Sequence, residues 1–229
     1  MAAGEFRLRV CHAKSGRARF LSHLEVMRAL ERSSRRAALP YAVTKGFNPH
    51  MKAAFGPALP VGTAGEREYF DIWLTQPVPA AEALERLRRS TPGELGIREV
   101  RYVHEREPSL TAASTMARYE VAVGGEGVTA EGIAEALVTV IGEGRLEVER
   151  KGKTKVFDLA RSLPEEVRVG STGPPVIVEV TTRMGQEGSL RPDALLEEAL
   201  SRAAVDGAVV SVTRTDILIE EEGVVRRPL

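Results

Sequence analysis

The segment Phe6-Arg7-Leu8-Arg9-Val10-Cys11, followed by Lys14-Ser15-Gly16 and then by Ser22-His23-Leu24-Glu25, decides the fold class. Phe6, Leu8 and Val10 alternate with Arg7, Arg9 and Cys11, the period of two that marks a strand with one buried face. Lys14-Ser15-Gly16 reads as a turn. Ser22 and Glu25 are spaced as a capping box, in which the serine oxygen accepts from the third helical N–H and the glutamate reaches back to the cap. The spacing predicts a helix from there to about residue 38, ending before Pro40. On that helix Leu24, Met27, Leu30 and Ala38 share a face that can be buried. Arg28, Arg32, Arg35 and Arg36, at i, i+4, i+7 and i+8, form an arginine stripe on another.

Short strands are expected at 41–44 and near 52–55, on either side of the glycine- and proline-rich segment Lys45-Gly46-Phe47-Asn48-Pro49-His50. A strand at 68–74, a helix at 80–89 and a strand at 97–103 complete a first unit. Residues 108–115 are small and polar and suit a boundary. The order then recurs: strand 116–123, helix 129–141, strands 145–150 and 175–182, helix 192–203, strand 208–219. The fold class expected is α+β, with two ferredoxin-like (βαββαβ-type) modules of antiparallel sheet. They span residues 1–107 and 116–229, the first elaborated by the glycine- and proline-rich insertion. What recurs is the order of elements, not the residues.

Length and composition set the bounds. The chain has 229 residues, 43% hydrophobic and 28% charged, which is ordinary for a globular protein of one or two domains. No apolar run approaches the roughly 18 residues of a membrane span, and no secretory leader is seen. A lone cysteine, Cys11, forms no internal disulfide. The expectation is a cytoplasmic protein without a membrane partner. Net charge is zero, yet residues 1–60 hold eleven Lys and Arg against three acids, a surplus of eight that the remainder offsets. Two readings stand: an interaction surface for a polyanion, or basic segments neutralised by acidic ones folded against them.

Three runs carry a resemblance. They are Phe20-Leu21-Ser22-His23-Leu24-Glu25-Val26-Met27-Arg28-Ala29-Leu30-Glu31-Arg32, Gly46-Phe47-Asn48-Pro49-His50, and Phe55-Gly56-Pro57-Ala58-Leu59-Pro60-Val61-Gly62. Together they closely resemble the bacterial radical-SAM-linked proteins, found beside or fused to a radical SAM enzyme, and the match is strong over residues 5–75. Lys151-Gly152-Lys153-Thr154-Lys155 with Asp158-Leu159 looks like that family's basic patch. The chain departs after Asp158, where Ala160-Arg161-Ser162 replaces an arginine and proline, and after His50, where Met51-Lys52 stands. The resemblance implies a radical SAM enzyme as partner and a setting near RNA processing. The chain is not that enzyme itself, since an iron–sulfur cluster needs several thiolates and only Cys11 is present.

The candidate site combines the stripe Arg28, Arg32, Arg35 and Arg36 with Ser22, His23, Gly46, Phe47, Asn48 and His50. Arginines would neutralise phosphates, Phe47 would stack on a base, and the turns would position the strand. Lys151, Lys153 and Lys155 would add a second basic patch, or else guard an edge strand. Against this stand plainer roles: Ser22 and Glu25 as a helix cap, Phe47 in the core, His50 bonded to a backbone carbonyl. Cys11-His12 and the remaining histidines show no metal-ligand spacing, Cys11 suits a small buried apolar position, and no phosphate or dinucleotide loop is present. No cofactor and no metal are expected. The leading expectation is a non-catalytic RNA-binding or substrate-presenting accessory of a radical SAM enzyme. One alternative is a metal-independent endoribonuclease using His23 and His50 as base and acid. The other is a protein-only adaptor of the same partner.

Overall fold

The alternation that opens the chain becomes β1 (Phe6–Lys14), longer than expected by three residues. The structure, a computed structural model, describes residues 4–150, 152–170, 175–185 and 188–229. It is a mixed α+β fold whose chain divides into two units, residues 4–114 with 219–229, and residues 115–218. Residues 219–229, read from the sequence as part of the second module, thus belong with the first.

In the first unit β1 is followed by α1 (His23–Arg36), β2 (Ala53–Phe55), β3 (Ala64–Leu74), α2 (Ala80–Ser90), β4 (Ile97–Tyr102) and the short α3 (Leu110–Ala113). β1 lies between β3 and β4, antiparallel to both, with Val10 opposite Phe70 and Val100. β2 pairs antiparallel with β3, Phe55 opposite Phe70. The order is therefore β4-β1-β3-β2. Leu8 and Val10 of β1 and Phe70 and Ile72 of β3 meet Val26 and Leu30 of α1 and Leu87 of α2 in one core. Residues 41–44 do not form a strand but touch it through single bridges, Tyr41 to Leu74 and Val43 to Met51.

The buried face of α1 differs from the expected one. Val26, Leu30, Ser33 and Ser34 are buried, while Leu24 is 60% exposed and Ala38 lies beyond the helix, exposed. Counting from Leu24 placed the face about a quarter of a turn away from the row 26-30-33-37, because Ser33 in that row and Ser34 beside it conceal it. The Ser34 hydroxyl donates to the Leu30 carbonyl at 2.9 Å, which is how a serine tolerates burial inside a helix.

The second unit runs β5 (Met116–Gly124), α4 (Ala130–Gly142), β6 (Arg145–Arg150), β7 (Lys153–Asp158), α5 (Leu159–Ser162), β8 (Arg168–Val169), β9 (Val176–Arg183), α6 (Pro192–Arg202) and β10 (Ala208–Glu221). β5 is flanked by β9 and by β10, and β8 pairs with β9, all antiparallel. The sequence placed residues 145–150 in the main sheet. They pair instead with β7 in a separate hairpin, and the two-residue β8 takes the edge position. Val121 and Val178 pack on Ile133 and Leu137 of α4 and Leu195 and Leu196 of α6. The end of β10 turns through Glu222 and Gly223, both at positive φ, into β11 (Val224–Arg226).

Candidate nucleic-acid interface

Charge separation along the chain only partly becomes surface. Of the eleven cations in residues 1–60, Arg7, Arg9 and Lys14 are buried. Arg7 and Arg9 converge on Asp71, itself wholly buried, with Arg7 Nη2 at 2.6 Å and Arg9 Nε at 2.8 Å from its carboxylate oxygens. Arg7 also donates to the Pro108 carbonyl at 3.1 Å and Arg9 to the Pro228 carbonyl at 3.2 Å. These arginines hold the sheet face opposite the helices together and are not available to a ligand.

The stripe on α1 is different. Arg28, Arg32, Arg35 and Arg36 are all exposed. Among the described residues no carboxylate lies within salt-bridge distance of any of the four. Their side of the helix faces away from the buried row of Val26, Leu30 and Ser33, as the wheel requires. Arg35 and Arg36 fall in the last turn, where the helix dipole favours cations. Lys45 and Phe47 add to the exposed surface, Phe47 being 111% exposed, so the ring belongs to solvent and not to the core. Gly46 and Asn48 are exposed beside it, and nothing lies within 4 Å of where a Gly46 Cβ would stand.

The turn residues divide between ligand-ready and self-satisfied. Ser22 caps α1: its Oγ accepts from the Glu25 N–H at 3.4 Å, and the Glu25 carboxylate accepts from the Ser22 N–H at 2.8 Å and from its hydroxyl at 2.7 Å. Those bonds from Ser22 hold the Glu25 carboxyl below the usual carboxylate range. The helix N-terminus therefore already carries its anion, and a phosphate at that point would meet a like charge. His50 is exposed, its Nδ1 3.2 Å from the Asn48 carbonyl and 3.1 Å from Thr44 Oγ1. His23 instead stands edge-on to Phe55, ring centroids 6.2 Å apart. No recess or hydrogen bond described joins the two imidazoles, which leaves the pairing of His23 with His50 as base and acid without geometric support.

His23 opens on a recess that the sequence reading did not anticipate. Its rim is His23, Phe55, Gly56 and Pro57; its floor includes His12, Lys14 and Glu68. His12 and Lys14 are 3% and 2% exposed, and Glu68, opposite His12 in the β1–β3 register, is 7% exposed. The signal was present: the core face of β1 reads Leu8, Val10, His12, Lys14, so its polarity reverses while its period holds. The runs containing His23 and Phe55-Gly56-Pro57, separate in sequence, line one recess.

In the second unit Lys153 is exposed on β7, Lys155 lies 4.8 Å over the Phe157 ring, and Lys151 lies outside the described residues. A polar recess of ≈ 520 Å³ there includes Arg118, Glu165, Arg168 and Glu179. The Thr181 hydroxyl, at 2.6 Å, and Arg118, at 3.1 Å, keep the Glu165 carboxyl low. An apolar groove of ≈ 920 Å³ runs along Leu137, Val138 and Ile141 of α4. Neither contains a residue expected to bind. Cys11 is buried, and loss of hydration pushes its thiol up to about 11. Among the described residues no three His, Cys, Asp or Glu converge as metal ligands, and no helix is long and apolar enough to cross a membrane.

The fold has relatives among solved structures. A chain of a Cbf5–Nop10–Gar1 complex aligns with a TM-score of 0.52 at 11% identity, over 92% of this chain and 48% of its own length. A chain of an H/ACA ribonucleoprotein bound to a substrate RNA containing 2′-deoxyuridine aligns with a TM-score of 0.50 at 11% identity, over 92% and 47%. The protein thus spans about half the length of those chains, and at such identity the likeness is one of fold. No curated protein matches the sequence. Residues 7–192 match the model of the family described as uncharacterized protein conserved in bacteria (DUF2344), and the chain belongs to that family.

Proposed function

We propose that the first unit binds RNA through the outer face of α1 and the loop carrying Phe47, and presents it to a partner without chemistry of its own. The observation that carries this is the stripe Arg28, Arg32, Arg35 and Arg36, four exposed guanidiniums with no carboxylate partner among the described residues. Unpaired arginines along one helix face repel one another and are retained where a polyanion neutralises them. Phe47, extended into solvent, offers a face on which a base can stack. The same fold occurs in a chain of an H/ACA ribonucleoprotein bound to a substrate RNA, which fits an RNA setting. The finer architecture is two ferredoxin-like modules, supported by strand orders β4-β1-β3-β2 and β10-β5-β9-β8, each with its first strand inside and two helices on one core. A radical SAM enzyme as the partner rests on the sequence motifs alone.

Binding of a fluorescent single-stranded RNA at several salt concentrations tests the reading. Four phosphate contacts give a log–log slope near −3, from about −0.7 per contact on single strands. Replacing all four arginines by alanine removes most of that slope, and Phe47→Ala weakens binding by roughly 1–3 kcal/mol at constant slope. A flat salt dependence, or no binding, refutes it. Co-purification of a partner enzyme that survives nuclease treatment favours the protein-only adaptor instead.

A further inference from the structure

The sheet of the second unit ends in an open edge that lies beside an apolar groove. Among the described residues β8 pairs with β9 alone, Arg168 opposite Glu179 and Val169 opposite Val178. The Gly170 N–H donates to the Ile177 carbonyl at 2.8 Å, so Gly170 with Ile177, and in the same phase Arg168 with Glu179, are the hydrogen-bonded pairs. Val169, between them, turns its N–H and C=O outward, and Val167 follows two residues back. The side chains alternate to match. Val167 and Val169 are half-buried against the core of the unit, while Glu166 and Arg168 are exposed and line the polar recess on the other face. Along this edge runs the groove of ≈ 920 Å³, walled by Val167 and Val169 on one side and by Ala134, Val138 and Ile141 of α4 on the other. Val138 is 73% exposed. Outward backbone groups next to exposed apolar surface are what an added strand and helix cover.

The charges on that edge choose the occupant. A second copy pairing antiparallel through it must set outward-turned residues opposite one another about a two-fold axis. An axis at Glu166 faces that acid with its own copy, an axis at Arg168 does the same with arginine, and an axis at Val169 leaves Arg168 against Gly170. An axis at Val167 sets Arg168 opposite the Glu166 of the other copy, twice. These would be non-hydrogen-bonded positions, where side chains meet more closely than Arg168 and Glu179 do within the chain. Among the described residues neither Glu166 nor Arg168 has an ion-pair partner, whereas Glu165 is held by Arg118 and Thr181. A short charged edge ordinarily keeps copies apart. This one carries both signs two residues apart, so one register attracts. We propose that a second copy of this chain docks here, the two β8 edges pairing about Val167. The stripes of Ala134, Val138 and Ile141 then meet on the helix side of the joined sheet. This stands apart from the RNA-binding reading, since β8 and α4 belong to the second unit.

Sedimentation velocity of the whole, nuclease-treated protein tests the pairing across about 1–100 μM, the range in which an interface of modest size associates. Within it the protein forms a species of twice 24.9 kDa. Arg168→Glu and Glu166→Arg each set like charges opposite one another at both contacts and weaken association at least about tenfold. Combining the two substitutions restores opposite charges and returns the dissociation constant to within about threefold of the parent, a coupling that no independent pair of sites would show. Val138→Glu, at a position exposed in the single copy, also yields a monomer. Unaltered circular dichroism establishes that each variant folds, as expected for exposed positions. A monomer throughout the range overturns the inference and leaves the edge to a strand of another protein. A dimer that tolerates both single substitutions overturns it too, as does a double variant that fails to reassociate.

Discussion

Asp71 holds two guanidiniums with one carboxylate, in a place where none of the three side chains reaches water to any extent. Arg7 Nε and Nη2 and Arg9 Nε and Nη2 all donate to it. Removing it leaves two buried cations facing each other, and among the described residues the only other carboxylate in ion-pair reach is Glu107, 4.0 Å from Arg9. Asp71→Ala is expected to cost roughly 3–5 kcal/mol, the range for breaking a buried pair by deleting one partner. Urea denaturation measures it, and a loss below about 1 kcal/mol contradicts the assignment. The alternation of residues 6–11 was legible, but the burial of its polar half was not. Arginines opposite an apolar row read as a solvated face, because the carboxylate that pairs them lies 62 and 64 residues away and the carbonyls that complete their shell lie farther still. The same blindness hid His12, Lys14 and Glu68, whose partnership exists only once β1 and β3 are in register.

At the scale of the element, α1 depends on its cap. Ser22→Ala removes the acceptor for the Glu25 N–H and one donor to the Glu25 carboxylate, at a cost of about 1 kcal/mol. Glu25 titrates lower in the folded protein because Ser22 donates to it. Its contribution to stability is therefore complete above the unfolded value and disappears as pH falls through the lowered folded value. The drop in melting temperature on the acid side is expected to be smaller in Ser22→Ala than in the parent, and melts across that range check it; an unchanged drop assigns acid sensitivity elsewhere. The capping box could be read directly because both partners sit within four residues. The hairpin of β6 and β7 was half seen for a related reason. Its first strand has the expected pattern, but the second pairs through a connection in which Gly152 takes φ 71°, and a Lys-Gly-Lys-Thr-Lys run reads as a charged surface before it reads as a turn and a strand. Phe47 illustrates the converse: an aromatic residue between glycine and asparagine fits a core position or an exposed tip equally well until the loop is placed.

At the scale of the whole molecule, the first unit is discontinuous, and its last eleven residues arrive after the chain has built the second. Three consecutive acids, Glu220, Glu221 and Glu222, give this stretch the composition of a solvated end. Yet β10 continues to Glu221, Glu222 and Gly223 turn the chain at φ 51° and 79°, and β11 pairs Arg226 with Ile219. Pro228 is buried, and its carbonyl accepts from Arg9 Nη1 across 219 positions of sequence. A local reading has no access to a contact of that separation. The consequence can be measured. A chain ending at Leu218 strips a buried guanidinium of an acceptor, which alone costs about 1.5–3 kcal/mol, and it loses the packing of Ile219 and the β11 hairpin as well. Because the damage falls on the unit that contains β1 and β3, hydrogen exchange should accelerate at the amides of Leu8, Val10 and Phe70 well before those of Val121 and Val178. Equal acceleration in both units would mean that the two unfold as one cooperative body. Unchanged protection at β1 would mean that the tail contributes nothing to the unit it joins, and the support for the Arg7–Arg9–Asp71 cluster would then have to come from residues 4–114 alone.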